Sequence, residues 1–135
     1  MILIFTLDDN NGTQLLGKRQ SKDRVVADKI AHHAGDKLYI KEKTVRFFSG
    51  ITLPENTHFI TNFEEAPHDA YIFAEEVVSD ALMHAAEKIY VFRWNRNYPS
   101  MVQDRINLDG WVCNILEEFP GHSHEKITME VYTHA

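Results

Sequence analysis

Hydrophobic and polar positions along residues 71–94 change period twice, and this stretch predicts the central unit of the fold. Tyr71–Phe73 is a short apolar run, and 89–94 is a second one rich in β-branched and aromatic residues, so both are predicted as strands. Between them, residues 75–86 place apolar side chains at helical spacing. Glu75 and Glu76 then fall in the first turn, where the helix dipole favours carboxylates. A strand, a helix and a strand in this space predict a right-handed crossover with parallel strands.

The rest of the chain supplies further strands and a longer helix. ILIFTL at Ile2–Leu7 is apolar almost throughout and predicts a buried first strand. Ser21 is the predicted N-cap of a helix over 22–34, which Gly35 ends. Further strands are predicted over 37–40, 57–61, 111–117 and 126–132, and one or two helical turns over 44–48. Alternating strands and helices followed by an antiparallel hairpin predict a single α/β domain over 1–135, with a mixed, mostly parallel sheet.

Composition and charge narrow the class of protein. A chain of 135 residues with 44% hydrophobic residues can bury a real core. The formal net charge of −6 argues against a general nucleic-acid or anionic-membrane binder. No apolar run approaches the ~20 residues that span a bilayer, and residues 1–7 lack the basic start of a signal peptide. Cys113 is the sole cysteine, which favours a cytoplasmic protein, and we expect it to be a packed small hydrophobe in a strand.

Residues 17–24 (GKRQSKDR) are the most unusual stretch, because four of the eight are basic and they lie at the start of the first predicted helix. On one interpretation, Lys18, Arg19, Lys22 and Arg24 bind an anionic ligand, and Asp23 accepts a hydrogen bond or relays a proton. On the other, the stretch is a solvated loop followed by a capped helix, which is the usual state of a charge run. The residue pattern leaves both interpretations open.

Two other polar stretches are weaker candidates. Residues 93–98 combine two arginines with Trp94 and Tyr98, which suits stacking on a planar or phosphorylated ligand. The simpler interpretation is that both aromatics end a core strand and the arginines lie outside it. Residues 122–125 (HSHE) lack the spacing of a zinc signature, so no metal site is predicted. Glu130 is expected to pair with a basic residue that the sequence does not identify.

The order and spacing of five segments resemble the dihydrofolate reductase family over nearly the whole chain. ILIFTLDDNNG (2–12) is similar to its first strand and the turn into its active-site loop, and DKLYIKEKT (36–44) to its cofactor-phosphate segment. The similar segments farther along the chain are LPENTHFITN (53–62), IFAEEVVSDALMHAAEKIYV (72–91) and MEVY (129–132). They resemble, in turn, the Leu-Pro turn with its strand, the cofactor-binding strand–helix–strand, and the closing hairpin. The resemblance implies a dihydrofolate reductase-like three-layer fold with a C-terminal antiparallel hairpin.

The same resemblance implies where a cofactor and a catalytic acid would lie. Ala74 and Glu75 stand where the family has adjacent glycines that let the NADPH pyrophosphate approach the backbone. Lys43 stands near the family's residue for the adenosine phosphate. Asp23 stands near the family's essential acid, although a shift of one residue puts Arg24 there instead.

The departures from the family pattern predict a protein without the usual NADPH-dependent folate reduction. Side chains at Ala74 and Glu75 would crowd a dinucleotide, and Asn56 lacks the charge of the arginine that pairs with the folate carboxylate. We therefore expect a small anionic or planar ligand, or a protein partner, at the cleft, with no cofactor. Two alternatives stay open, namely an NADPH-dependent reductase of a pteridine-like heterocycle and a salt-sensitive interaction module for RNA or an acidic protein.

Overall fold

The computed structural model describes residues 1–135, which form nine strands and two α-helices. The strands are β1 (Ile2–Leu7), β2 (Gln14–Leu15), β3 (Lys18–Arg19), β4 (Leu38–Ile40), β5 (His58–Phe59), β6 (Tyr71–Phe73), β7 (Lys88–Arg93), β8 (Trp111–Phe119) and β9 (Ile127–His134). The helices are α1 (Arg24–Ala34) and α2 (Asp80–Ala85), and 3₁₀ segments cover Gly35–Lys37, Glu42–Phe48, Phe63–Glu65 and Val102–Asp104. None of these helices combines the length and the apolar character needed to cross a bilayer.

The main sheet has seven strands in the order β5-β4-β6-β1-β7-β9-β8, and β2 and β3 form a separate small hairpin. The first five strands of this order are parallel to one another. The last two, β8 and β9, form the predicted antiparallel hairpin at the edge of the sheet. The strands of the predicted crossover, β6 and β7, are parallel but are not neighbours, because β1 lies between them. The mixed, mostly parallel sheet is confirmed.

Side chains of the sheet alternate between two cores, one on each face. On β1, Ile4 belongs to the core that includes Val26 and Ile30 of α1 and the two phenylalanines of the Glu42–Phe48 segment. Leu3, Phe5 and Leu7 belong to the opposite core, which includes Leu82 of α2. Because both faces of a parallel sheet are covered, its strands are apolar throughout, which is why ILIFTL shows no alternation. The sheet and the covering layers on its two faces give three layers.

Helix α1 begins two residues later than predicted. Asp23 has an extended backbone (φ −150°, ψ 130°), and its side chain accepts a hydrogen bond from the Val25 amide at 2.9 Å. Asp23 is therefore the N-cap, and the prediction of Ser21 for that position was wrong. Gly35 ends the helix with φ of 57°, a left-handed conformation that favours glycine.

The second helix is shorter than its hydrophobic period predicted. Helix α2 has six residues, Asp80–Ala85, and Ser79 caps it by accepting from the Leu82 amide at 3.2 Å. Residues 74–79 form an irregular link instead of a first turn, so the placement of Glu75 and Glu76 in a helix was wrong. Both carboxylates pair with cations on other segments, and these contacts replace the dipole interaction that the local sequence suggested.

Strand β8 is exposed over most of its length, which corrects the expectation for Cys113. That residue is exposed rather than packed. Its strand pairs with β9 on one side only, because β8 is the edge of the sheet. Val112, Ile115 and Leu116 are also exposed, at 46%, 64% and 52%. The alternating pattern therefore identified a strand, but it did not show that this strand lies at the edge of the sheet with most of its residues exposed.

Candidate functional site

A polar pocket of about 900 Å³ lies beyond the carboxyl ends of the parallel strands. Its charged lining comes from three segments that follow or face those ends: the β2–β3 hairpin, the Glu42–Phe48 turns and the link after β6. The charged residues are Lys18, Arg19, Glu42, Lys43, Arg46 and Glu75. In open α/β sheets, ligands commonly bind in the crevice at the carboxyl ends of strands. This pocket is therefore the candidate ligand site.

Arg19 and Glu75 form a two-pronged ion pair inside this pocket. Nε of Arg19 contacts Oε2 of Glu75, and Nη2 donates to Oε1 at 2.7 Å. Nη2 also donates to the Lys43 carbonyl at 3.3 Å. The hydrogen bond to Glu75 raises the pKa of Arg19 despite the opposing effect of partial burial. The Glu75 side chain is only 10% exposed, so this carboxylate is a fixed part of the pocket wall.

Glu76, the next residue, pairs with two lysines on the opposite side of the link. Its Oε1 lies 3.1 Å from Nζ of Lys41 and 3.0 Å from Nζ of Lys43. Burial raises the pKa of Glu76, but the hydrogen bonds from Lys43 and Lys41 outweigh that effect and lower it overall. Lys43 therefore lies at the pocket but shares the single negative charge of Glu76 with Lys41, which reduces its attraction for an incoming anion without cancelling it.

Lys18 and Arg46 are the pocket cations that have no carboxylate within ion-pair distance. Both are exposed. Lys18 belongs to β3, and Arg46 comes from the Glu42–Phe48 segment, where it stands three residues after Lys43. Residues three apart point the same way in a 3₁₀ helix, so the K-x-x-R spacing of 43–46 was a sequence signal for this basic wall. Arg46 was not among the predicted ligand-binding residues.

The basic stretch over 17–24 divides between two places. Lys18 and Arg19 line the pocket, as described. Lys22 instead donates from Nζ to Oγ of Ser49 at 2.6 Å, and the exposed Arg24 lies near Gly50. Neither of those two residues lines the pocket. The structure thus brings together two of the four predicted ligand-binding cations and adds Arg46.

Asp23 also lies away from the pocket and is surrounded by donors of its own chain. Its buried carboxylate accepts from the amides of Val25, His122 and Ser123 at 2.9, 3.0 and 2.9 Å. Nδ1 of His124 is 2.9 Å from Oδ2. Burial raises the pKa of Asp23, but the bonds from His122, Ser123, His124 and Val25 outweigh it and hold the pKa well below its usual range. The side chain therefore joins the start of α1 to the β8–β9 loop and stays ionised.

A second buried network involves Arg93, which was predicted to lie outside the core. Its guanidinium donates to Glu130 at 2.7 Å and to the Tyr132 hydroxyl at 3.0 Å, and it is 13% exposed. It also donates to the Asp8 carbonyl at 2.9 Å and to Asn11 at 2.6 Å. The basic residue that pairs with Glu130 is thus Arg93. The expectation that this arginine lies outside the core was wrong. Its contacts join β7, β9 and the turn after β1.

The sheet order and the two covered faces define the class of protein: an α/β protein with the dihydrofolate reductase-like fold. No family model matches the chain, and no curated protein matches it either. Among solved structures, the chain is similar to the dihydrofolate reductase from Enterococcus faecalis complexed with NADP(H) and RAB-propyl, with a TM-score of 0.66. The match has 14% identity and covers 98% of this chain and 95% of that chain. The predicted fold is confirmed.

The residues of this chain do not fit a dinucleotide at the end of β6. Ala74 is buried, and its amide donates to the Ile4 carbonyl at 3.0 Å. Glu75 and Glu76 follow it, and the carboxylate of each lies within ion-pair distance of a basic residue. Two carboxylates repel a pyrophosphate, and α2 begins only at Asp80, so no helix N-terminus lies at Glu75 to attract one. Internal carboxylates thus occupy the place where a cofactor phosphate would need backbone amides.

Proposed function

We propose that this protein binds a small anionic ligand in the pocket between the β2–β3 hairpin and the Glu42–Phe48 segment. The observation that carries the proposal is the pair of exposed cations, Lys18 and Arg46, on the wall of a pocket of about 900 Å³. Arg19 stands beside them, oriented by Glu75. Such an arrangement suits a compact ligand with one or two negative charges, such as a phosphorylated or carboxylated small molecule.

NADPH-dependent reduction is the competing function, and the pocket chemistry opposes it. A dinucleotide would have to separate Arg19 from Glu75 or place its phosphates against two carboxylates. Because a partly buried pair leaves an uncompensated charge when one partner is removed, opening this pair carries a free-energy cost that a cofactor would have to meet. The fold favours an origin shared with reductases, whereas the charges of Glu75 and Glu76 favour a ligand other than NADPH.

The test is isothermal titration of the protein with inorganic phosphate and, separately, with NADPH. We expect saturable phosphate binding, because phosphate carries the one or two negative charges that the pocket suits. Arg46→Ala should weaken it roughly fivefold, because an exposed charge contact contributes about 1 kcal/mol. Lys22→Ala is the matched control, since Lys22 is basic and nearby but contacts Ser49 outside the pocket. That control should leave the affinity within about twofold, since its charge is largely screened at that separation.

Two outcomes would overturn the proposal. No phosphate binding at millimolar concentration would remove the anion site. Saturable NADPH binding at micromolar concentration, followed by oxidation of the cofactor with a pterin or folate, would replace the proposal with the reductase. A protein or RNA partner would show instead as binding that salt abolishes without any response to either small molecule.

A further inference from the structure

Ser21, His124 and Asp23 form a chain of hydrogen bonds outside the basic pocket. Oγ of Ser21 is 2.9 Å from Nε2 of His124, and Nδ1 of the same ring is 2.9 Å from Oδ2 of Asp23. We propose that Ser21 is a nucleophile and His124 its general base, positioned by Asp23, in a site that hydrolyses small carboxylic esters. This inference is independent of the anion pocket, because none of the three residues lines it.

The tautomer of His124 follows from the state of Asp23. The Asp23 carboxylate is fully buried and accepts hydrogen bonds from three backbone amides, and it is ionised at neutral pH. An ionised carboxylate only accepts, so Nδ1 of His124 must be the donor. A neutral imidazole then presents the lone pair of Nε2 to Ser21, which is the arrangement that a general base needs.

The imidazole is held in place on its remaining sides. Its ring stacks on the buried indole of Trp94 with centroids 4.6 Å apart and planes at 26°. The His124 carbonyl accepts from the Gly121 amide at 2.9 Å. A Cβ at position 121 would come within 2.5 Å of Oδ2 of Asp23, so the absence of a side chain at Gly121 allows the loop to close over the carboxylate. A base with so little freedom resembles the preorganised groups of catalytic sites.

A depression of about 600 Å³ adjoins this cluster on the side of His124, and the half-buried Ser21 lies outside its lining, at Nε2 of the same ring. His124 and Trp94 form part of its wall. Nε1 of Trp94 is a buried donor without a hydrogen-bond partner, and such a group is unfavourable until an oxygen accepts from it. Arg96, Lys126 and Glu125 also line the depression. Lys126 pairs with Glu118 at 3.3 Å, so Arg96 is the lining cation without an ion-pair partner, and an ester with a polar or anionic group near Arg96 fits this lining.

The chemical steps balance with water as the only co-reactant. The Oγ–H proton of Ser21 passes to Nε2 of His124 as Oγ bonds to the ester carbonyl carbon and the π electron pair moves onto the carbonyl oxygen. The intermediate collapses, the carbon–alkoxide bond breaks, and the alkoxide leaves as an alcohol with the proton from His124. Water then attacks the acyl group on Ser21 by the same proton route, which releases a carboxylic acid and restores the serine hydroxyl.

The first test is labelling of the full chain with a fluorophosphonate probe, with the modified residue located by mass spectrometry, beside hydrolysis of p-nitrophenyl acetate. We expect the label on Ser21. Ser21→Ala should abolish the label and lower the ester rate at least about 100-fold, the scale of general-base assistance. Ser49→Ala removes an exposed hydroxyl whose side-chain hydrogen bond is to Lys22, and we expect it to leave both readouts within about twofold.

A thiol variant tests the pairing without relying on turnover. With Cys113→Ser and Lys22→Ala as the background, Ser21→Cys places a thiol against Nε2 of His124, and Ser49→Cys is the matched control, because removal of Lys22 leaves that thiol without the cation that contacts position 49. A thiol paired with histidine ionises at lower pH, so iodoacetamide at pH 6 should alkylate position 21 at least about tenfold faster than position 49. Adding Asp23→Asn, with folding checked by circular dichroism, should move the alkylation profile of position 21 back toward that of an ordinary thiol.

The proposal is overturned if no probe is found on Ser21 at a concentration that saturates a known serine hydrolase. It is also overturned if Ser21→Ala hydrolyses the ester as fast as the parent protein. Equal alkylation rates for the two thiol variants would show that the hydrogen bonds only fasten the β8–β9 loop to α1. Any of these results would leave the anion pocket unaffected.

Discussion

Replacement of Asp23 by alanine should lower the free energy of unfolding by more than the loss of a helix N-cap alone. The carboxylate caps α1 and also accepts from the amides of His122 and Ser123, 99 and 100 residues farther along the chain. Loss of an N-cap contributes about 1 kcal/mol. Each loop amide left without its acceptor adds about 1 kcal/mol, the low end of the range, because water can reach exposed loop residues. The expected loss is about 3 kcal/mol.

Urea denaturation followed by circular dichroism measures this loss directly. The matched control is Asp28→Ala, which removes an exposed carboxylate from the same helix and should change stability by less than about 0.5 kcal/mol. Asp23→Asn removes the charge while its side-chain oxygen can still accept from the Val25 amide as a helix cap. Its NH₂ group, however, is a donor and cannot accept from the loop amides. A loss below about 1 kcal/mol for Asp23→Ala, on the same scale, would refute the view that this side chain fastens the loop.

Three further predictions concern the same fold. Because the pKa of Asp23 is lowered from its ordinary value of 3.8, its stabilisation is complete above that pH and is lost as the pH falls further. The stability difference between the parent and Asp23→Asn should therefore shrink between pH 6 and pH 3 in urea titrations. Arg93→Met should cost about 3 kcal/mol by leaving Glu130 unpaired, and adding Glu130→Leu should recover at least half of it. Ile115→Lys places a charge on the exposed edge strand β8, which should weaken edge-to-edge association between copies of the chain and lower the light scattering measured at increasing protein concentration.

For each of these three predictions, a specific measured result would contradict the reasoning. A difference that stays constant down to pH 3 would mean that the Asp23 carboxyl is no better stabilised in the folded state than in the unfolded one. A double variant at Arg93 and Glu130 that is no more stable than Arg93→Met would show that the unpaired Glu130 carboxylate is not the source of the loss. If Ile115→Lys leaves the scattering unchanged, the β8 edge does not promote association between copies of the chain.

The sequence alone determined the main course of the backbone. The continuous apolar runs of β1 and β6 report strands that are covered on both faces, and the alternation of polar and apolar residues along β9 reports a strand by its period of two. Gly35 marked a helix end because its conformation is a local backbone requirement. Segment order and spacing were then sufficient to indicate a dihydrofolate reductase-like fold, since the topology depends on where strands and helices fall along the chain.

Tertiary structure decided the residues of the candidate sites. Glu75 pairs with Arg19 across 56 positions, and Asp23 meets His124 across 101. Neither partnership leaves a trace in local periodicity, so the carboxylate of Glu75 could be placed at a helix start on local grounds while its actual partner is a cation on the β2–β3 hairpin. The exposure of Cys113 likewise depends on β8 being the last strand of the sheet. Local pattern reports which side chains are apolar, whereas only the folded chain brings distant charges together.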